Sequence, residues 1–319
     1  MLVRFWGTRG SLPTPLNAVA VREKIRRALK ASVGQDLSTA ERIEQFMDEK
    51  LEFAVAGAFG GNTSCVEIDG GGKQHILCDM GSGGREFGNA VMAQKYPHKD
   101  NVFNIFQSHP HWDHIMGFPF FVPAYIPGNK VIIYGCHDYL EEAYRRQHAE
   151  PGFPVPWAAL AADIEFVALE PGKEYVVDGV TVRALKQYHS GDSYGYRFEK
   201  GGKSVVYSTD CEHKFESINP DYPFVDFLRG ADLVIFDAMY SLADSISIKE
   251  DWGHSSNIIG VELAQMAGAK HLCMYHHEPN YDDAMISRIL AETIRYEELS
   301  EEGESLHVSS AYDGREIVL

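Results

Sequence analysis

Apolar residues along this chain follow two spacings in turn. Short continuous runs that end on polar residues predict buried strands: VFNIFQSH (102–109), KVIIYG (130–135), VTVRALKQYH (180–189), SVVYSTD (204–210), ADLVIFDA (231–238) and HLCMYHH (271–277). Between and after them, apolar positions three and four apart predict helices in HDYLEEAYRRQHA (137–149), SSNIIGVELAQMAG (255–268) and DDAMISRILAETIRYEEL (282–299). The first ten residues alternate weakly before GSLPTP breaks the chain, and residues 59–84 predict two strands joined by a Gly-rich turn. Residues 17–56 stand apart. Val21, Ile25 and Leu29 recur at spacing four, and Ser38 with Glu41 fits a capping box ahead of Ile43, Phe46, Met47 and Leu51. Two amphipathic helices, about 17–33 and 39–52, are expected there. With no internal repeat, the chain reads as one α/β domain over residues 1–319, carrying 17–56 as a helical insertion.

The polar residues gather where the strand-like runs end, which is where α/β proteins place their chemistry. QSHPHWDHIMG (107–117) puts His109, His111, Asp113 and His114 within six positions. Neutral imidazoles and carboxylates suit zinc, manganese or iron rather than calcium. Four such groups exceed what one ion with an open position requires. They predict two ions, one on His109 and His111 and one on Asp113 and His114. Later strand ends offer the missing ligands: His189, Asp210, and His276 or His277. A carboxylate shared by two cations holds them about 3.5–4 Å apart, and Asp210 is the natural bridge. His75, His98, His137, His148 and His307 are expected to be solvated or packed.

Composition narrows the function. Of 319 residues, 45% are hydrophobic, enough for a sizeable core, and the net charge is −17. That field disfavours long nucleic acid but not a small anion held by a metal. The start of the chain lacks an apolar h-region, no run reaches the length of a membrane span, and the five cysteines form no C-x-x-C pair. A soluble protein of a reducing cytoplasm is expected.

The order H-x-H-x-D-H, a lone strand-end histidine, an aspartate and a C-terminal histidine resembles the metallo-β-lactamase fold. More narrowly it is similar to the phosphodiesterase branch that includes tRNase Z and the phosphoribosyl cyclic phosphate phosphodiesterases. FWGTRGSLPTP (5–15) resembles that branch's opening strand and loop. LCDMGSG (77–83) resembles the strand whose aspartate, here Asp79, braces the metal loop. WGHSS (252–256) resembles its H-S-T motif at His254, and AYDGREIVL (311–319) its last strand. The resemblance implies an αββα sandwich of two mixed sheets flanked by helices. It implies that His109, His111 and His189 hold one metal, that Asp113, His114 and His276 hold the other, and that Asp210 bridges them. The segment 17–56 departs from the pattern.

Two divalent ions, most simply Zn2+, with Mn2+ or iron as alternatives, polarise a phosphoryl oxygen and lower the pKa of a bridging water. The resulting hydroxide attacks phosphorus, oriented by Asp113. His254 is the candidate acid for the leaving alkoxide, with Asp237 fixing its ring, while Ser255 or Ser256 caps the following helix. Phe118 and Phe121, with Phe120 and Tyr125, are candidates for a wall on which a base stacks, and His213 for a substrate contact. Cys211, beside the bridging aspartate, reads as a small core residue or a reactive thiol. tRNase Z enzymes carry a tRNA-clamping arm, whereas His189 and Asp210 here lie only 21 residues apart. With the acidic charge, this favours a small phosphodiester, a cyclic nucleotide or sugar cyclic phosphate. The rivals are a hydrolase of a thioester, lactone or other acyl bond, an RNA or DNA nuclease, and a non-catalytic sensor or scaffold. The inserted segment, whose first helix carries Arg22, Lys24, Arg26, Arg27 and Lys30 against Glu23, is expected to form a homodimer interface and one wall of the pocket.

Overall fold

The computed structural model describes residues 1–93, 99–214, 219–242, 251–300 and 305–319. The strands are β1 (Leu2–Gly7), β2 (Cys65–Asp69), β3 (His75–Cys78), β4 (Val102–Phe106), β5 (Lys130–Gly135), β6 (Asp163–Ala168), β7 (Glu174–Val177), β8 (Val180–Gln187), β9 (Ser193–Lys200), β10 (Lys203–Ser208), β11 (Leu233–Asp237), β12 (His271–Tyr275), β13 (His307–Ser310) and β14 (Glu316–Val318). They form two seven-stranded sheets, in the orders β14-β1-β2-β3-β4-β5-β6 and β13-β12-β11-β10-β9-β8-β7. Both are mixed: β3 to β6 run parallel and β10 to β13 run parallel, while the remaining pairs are antiparallel.

Three apolar clusters explain the layering. The first joins the inner faces of both sheets, with Val3, Phe5 and Phe106 meeting Phe198, Ile235 and Tyr275. The second packs the outer residues Val234 and Phe236 of β11 under α7 (Pro223–Leu228), α8 (Asn257–Met266) and α9 (Asp283–Ser300). The third packs the other sheet's outer residues Leu77, Phe103 and Ile133 under α4 (Gly83–Ala93), α5 (Trp112–Ile115) and α6 (Leu140–Arg146). A run such as LVIFD is buried on both faces, so it reads as continuously apolar rather than alternating. No helix among the described residues is long and apolar enough to cross a membrane.

The inserted segment forms α1 (Ala18–Ala31), α2 (Ala40–Lys50) and α3 (Phe53–Ala56). Asn17 caps α1 by accepting from the amides of Val19 and Ala20. The cap of α2 is Thr39, which accepts from the Arg42 amide, and not Ser38, whose hydroxyl instead meets the Arg42 guanidinium. The cap is thus displaced by one residue, and with Arg42 at its third position the expected reciprocal box does not form. Lys24 pins α1 down, with Nζ 2.6 Å from Asp283 and 2.8 Å from the Gly57 carbonyl. Phe53 in α3 packs against Phe59 and Tyr312. Phe46 is buried, but Val21, Ile25 and Leu29 stay 41%, 54% and 64% exposed, so the chain does not cover its own stripe.

Candidate metal centre

The loop after β4 is organised by Asp79, at the end of neighbouring β3. This buried carboxylate accepts from Gln107 Nε2 (2.7 Å), the Ser108 amide and hydroxyl (both 2.7 Å), the Tyr207 hydroxyl (2.8 Å) and His114 Nδ1 (2.7 Å). Asp79 therefore braces the metal loop and, by accepting from His114 Nδ1, turns Nε2 toward Asp113 and Asp210, where a metal would be held. His189 is oriented in the same way, donating from Nδ1 to the Gly253 carbonyl at 2.8 Å. Gly253 must be glycine: its φ is +83°, and a Cβ would lie 2.4 Å from His189 Nδ1. Glu212 holds that turn by accepting from the amides of Asp251 and Gly253.

Three groups of ligand atoms result: one of His109, His111, His189 and Asp210, a second of Asp113, His114, Asp210 and His276, and a third of Asp210, Asp237, His254 and His276, in which the His254–Asp237 pair adjoins the other two. Asp210 faces the first two. Its Oδ2 lies 3.6 Å from Nε2 of His109 and of His189, and its Oδ1 lies 3.2 Å from Nε2 of His114 and of His276. His189 Nε2 is 3.1 Å from His111 Nδ1, and Asp113 Oδ2 is 3.2 Å and 3.4 Å from His114 and His276. Ligands about 2.0–2.1 Å from a tetrahedral ion are separated by about 3.3–3.4 Å, so these spacings fit. The buried Nε2 of His109 has no hydrogen-bond partner, as a group awaiting a cation would. Without the cations, burial pushes the Asp210 carboxyl up, yet the imidazoles of His114, His276 and His109 hold it well below the usual range. Asp79, Asp210 and His276 all have positive φ, at +60°, +50° and +61°, so local backbone strain is concentrated where strands hand their side chains to the site.

Of the doublet, His276 faces the clusters. His277 turns the other way and bonds to the Ala311 carbonyl and Ser310 hydroxyl. His254 Nδ1 lies 2.9 Å from Asp237 Oδ2, and its ring stacks on His276 at 5.1 Å and lies 5.1 Å from His189. Burial disfavours its charge, but Asp237 outweighs burial and raises its pKa to about 9. Asp237 is itself held by the amides of Cys211 and Met239, and Ser256 caps α8.

Three expected substrate contacts fail. Phe118 and Phe121 are fully buried; Phe118 packs on Tyr144 and Trp157, and Phe121 packs on Phe87 and Phe103. They are core, not a stacking wall. His213 is buried between Phe224 and Phe236 and bonds to the Tyr222 hydroxyl, so it reaches neither substrate nor solvent. Cys211 is a buried core residue. Among the other histidines, His75 stacks on Phe103, His137 and His148 are buried, and His307 is exposed, while His98 lies outside the described residues. The sequence did not point to Ser11, whose amide donates to Asp113 Oδ2 at 2.8 Å, or to Glu212. Ser11 lies in the GSLPTP break, and no side-chain chemistry marks it.

An αββα sandwich with two adjoining His/Asp clusters at the carboxyl ends of its strands defines a metal-dependent hydrolase. A family model, the beta-lactamase superfamily domain, matches residues 74–277. The chain belongs to that family. A ribonuclease Z of Brevibacillus brevis is 32% identical over 82 residues, a match covering 26% of this chain and 23% of that protein. A ribonuclease Z of Methanosarcina acetivorans is 26% identical over 275 residues, covering 70% of this chain and 84% of that one. The crystal structure of a diphosphatase from the PhnP family superposes with a TM-score of 0.60 at 19% identity, covering 100% of this chain and 97% of that one.

Proposed function

We propose that this chain hydrolyses a small phosphodiester, a cyclic nucleotide or sugar cyclic phosphate, with two divalent ions, most simply zinc. The observation that supports this reading best is the His254–Asp237 pair beside both ligand clusters. Bound ions would polarise a phosphoryl oxygen and bring a water's pKa near neutrality. His109, His111, His189 and Asp210 would hold one ion, and Asp113, His114, His276 and Asp210 the other. Asp113, fixed by the Ser11 amide, orients the attacking oxygen. His254, whose Nδ1 is committed to Asp237, delivers a proton from Nε2 to the leaving alkoxide. An acyl hydrolase expelling a thiolate has little need of such a donor, because a thiolate leaves readily without one. The curated ribonuclease Z relatives favour a second reading, an RNA nuclease. Against it stand the net charge of −17 and the bare hairpin of β9 and β10 between His189 and Asp210. His254→Ala should keep its metals and lower kcat on an alkyl phosphodiester by roughly 10²–10⁴, with a smaller loss on bis-p-nitrophenyl phosphate. Equal losses on both would remove His254 from acid catalysis.

The chain pairs with a second copy through α1 and α2. The uncovered Val21, Ile25 and Leu29 support this, as does charge: Arg22 and Lys30 on α1, and Glu44 and Asp48 on α2, have no ionic partner among the described residues. The segment follows closely on Ser11, which supports a place for it beside the substrate. Sedimentation of Leu29→Glu at micromolar concentration should show monomer where the parent chain is dimer; a monomeric parent chain ends this proposal.

A further inference from the structure

A groove of about 520 Å³ begins at Pro110, the residue between ligands His109 and His111, and runs along the outer side of the metal loop. Its walls are aromatic. Trp112 is 70% exposed, and its side chain makes no ring contact or hydrogen bond with any described residue. Phe120 is 54% exposed and meets half-buried Phe153 edge to face at 5.5 Å. Met116 lies on the same face of the loop as Trp112, while Asp113 and His114 occupy the opposite face toward the metals. Gln147 also lines the groove, and its carboxamide nitrogen is buried and has no acceptor. A buried donor without a partner is costly, and large exposed aromatic surface around one concavity marks a binding site.

We infer that this groove seats the nucleobase of the substrate. The inference rests on the phosphodiesterase reading and chooses the nucleotide over the base-free sugar phosphate. Indole and phenyl faces offer stacking surfaces that any base can use, whereas a bare sugar or glycerol unit has no π-face to meet them. The ring nitrogens and carbonyls of a base supply an acceptor for the Gln147 carboxamide once it turns toward the groove. Because Pro110 and Trp112 flank His111, a phosphoryl group at the metal centre and a base in the groove lie on two sides of one short loop.

The metal-loaded protein should hydrolyse cyclic adenosine monophosphate with a lower KM than glycerol cyclic phosphate. Phe153→Ala and Trp112→Phe should each raise KM for the nucleotide, Phe153→Ala by roughly 5–100-fold, the range of one lost stack. Both should leave kcat within a few-fold and the glycerol substrate unaffected. Independently of turnover, adenosine monophosphate should quench the intrinsic tryptophan fluorescence, and Trp112→Phe should abolish the quench while circular dichroism shows the fold intact. Equal KM changes on both substrates, or no quench by the nucleotide, would overturn the nucleobase site. Quenching without hydrolysis of either substrate would keep the site and remove the phosphodiesterase reading.

Discussion

Replacing Asp79 by Asn should separate the two metal positions. The exchange is isosteric, and Asn tolerates the left-handed φ of +60° at this position. Oδ1, which accepts from the Gln107 carboxamide and the Ser108 amide, can be kept as the amide oxygen. The new NH2 then takes the place of Oδ2, facing the Ser108 and Tyr207 hydroxyls and His114 Nδ1. The hydroxyls can rotate to accept, but the imidazole can accept only by moving its proton to Nε2, where a metal should bind. The loss is one hydrogen bond to a charged group, about 1.5–3 kcal/mol. That corresponds to roughly 10–100-fold in affinity, the usual cost of losing a partner behind a metal ligand. The ion on Asp113, His114 and His276 should feel it most, while the Ser108 hydroxyl, 3.0 Å from His109 Nδ1, passes a smaller effect to the other ion. Titration of the metal-free protein with zinc against a competing chelator reads both steps. One step weakened by that factor with the other weakened less is expected; equal weakening of both, or of neither, refutes the assignment of Asp79 as chiefly the support of His114.

Gly117→Ala should lower thermal stability by about 1–3 kcal/mol, the cost of overpacking, and weaken metal retention, because the new Cβ would lie 1.9 Å from the Gly81 carbonyl oxygen. Unchanged melting and metal content would show that the loop can retreat. Acid should destabilise the chain through His213, whose pKa burial lowers to about 3 from 6.5. It stays neutral when folded and takes a proton when unfolded, so stability falls as pH drops below 6.5. By pH 5 the loss is about 2 kcal/mol. Comparing urea midpoints of His213→Leu and the parent chain at pH 7 and pH 5, in chelator, should show a shallower loss in the variant. Parallel curves would show that His213 titrates normally.

The His/Asp clusters were legible because each candidate ligand sits just past a buried run, where the chain turns from packing to chemistry. His189, Asp210 and His276 follow Gln187, Ser208 and Tyr275 by one or two residues. Edge elements were less visible. β6 (DIEFVA) and β7 (EYVV) are half solvated and carry acids, and so lack an apolar run. Helix α4 was hidden by its glycines, which disfavour helix. A Cβ on Gly83 would lie 2.6 Å from the Trp6 backbone, and one on Gly88 would lie 2.9 Å from the Phe121 ring, so close packing selects residues that propensity rejects. That same packing explains the misassigned aromatics: Phe121 is core because α4 admits it. Ser11 acts through its amide, which no side-chain pattern could reveal.

Metal content and turnover, measured together on one preparation, test the two-ion site most directly. Protein purified without chelator should carry two zinc, manganese or iron ions per chain and hydrolyse bis-p-nitrophenyl phosphate. Chelation should abolish that activity, re-addition of the metal should restore it, and Asp210→Ala, which removes the group facing both clusters, should lose both ions and all turnover. Full activity in a metal-free preparation, or an Asp210→Ala variant that keeps both ions, would contradict a bridged pair.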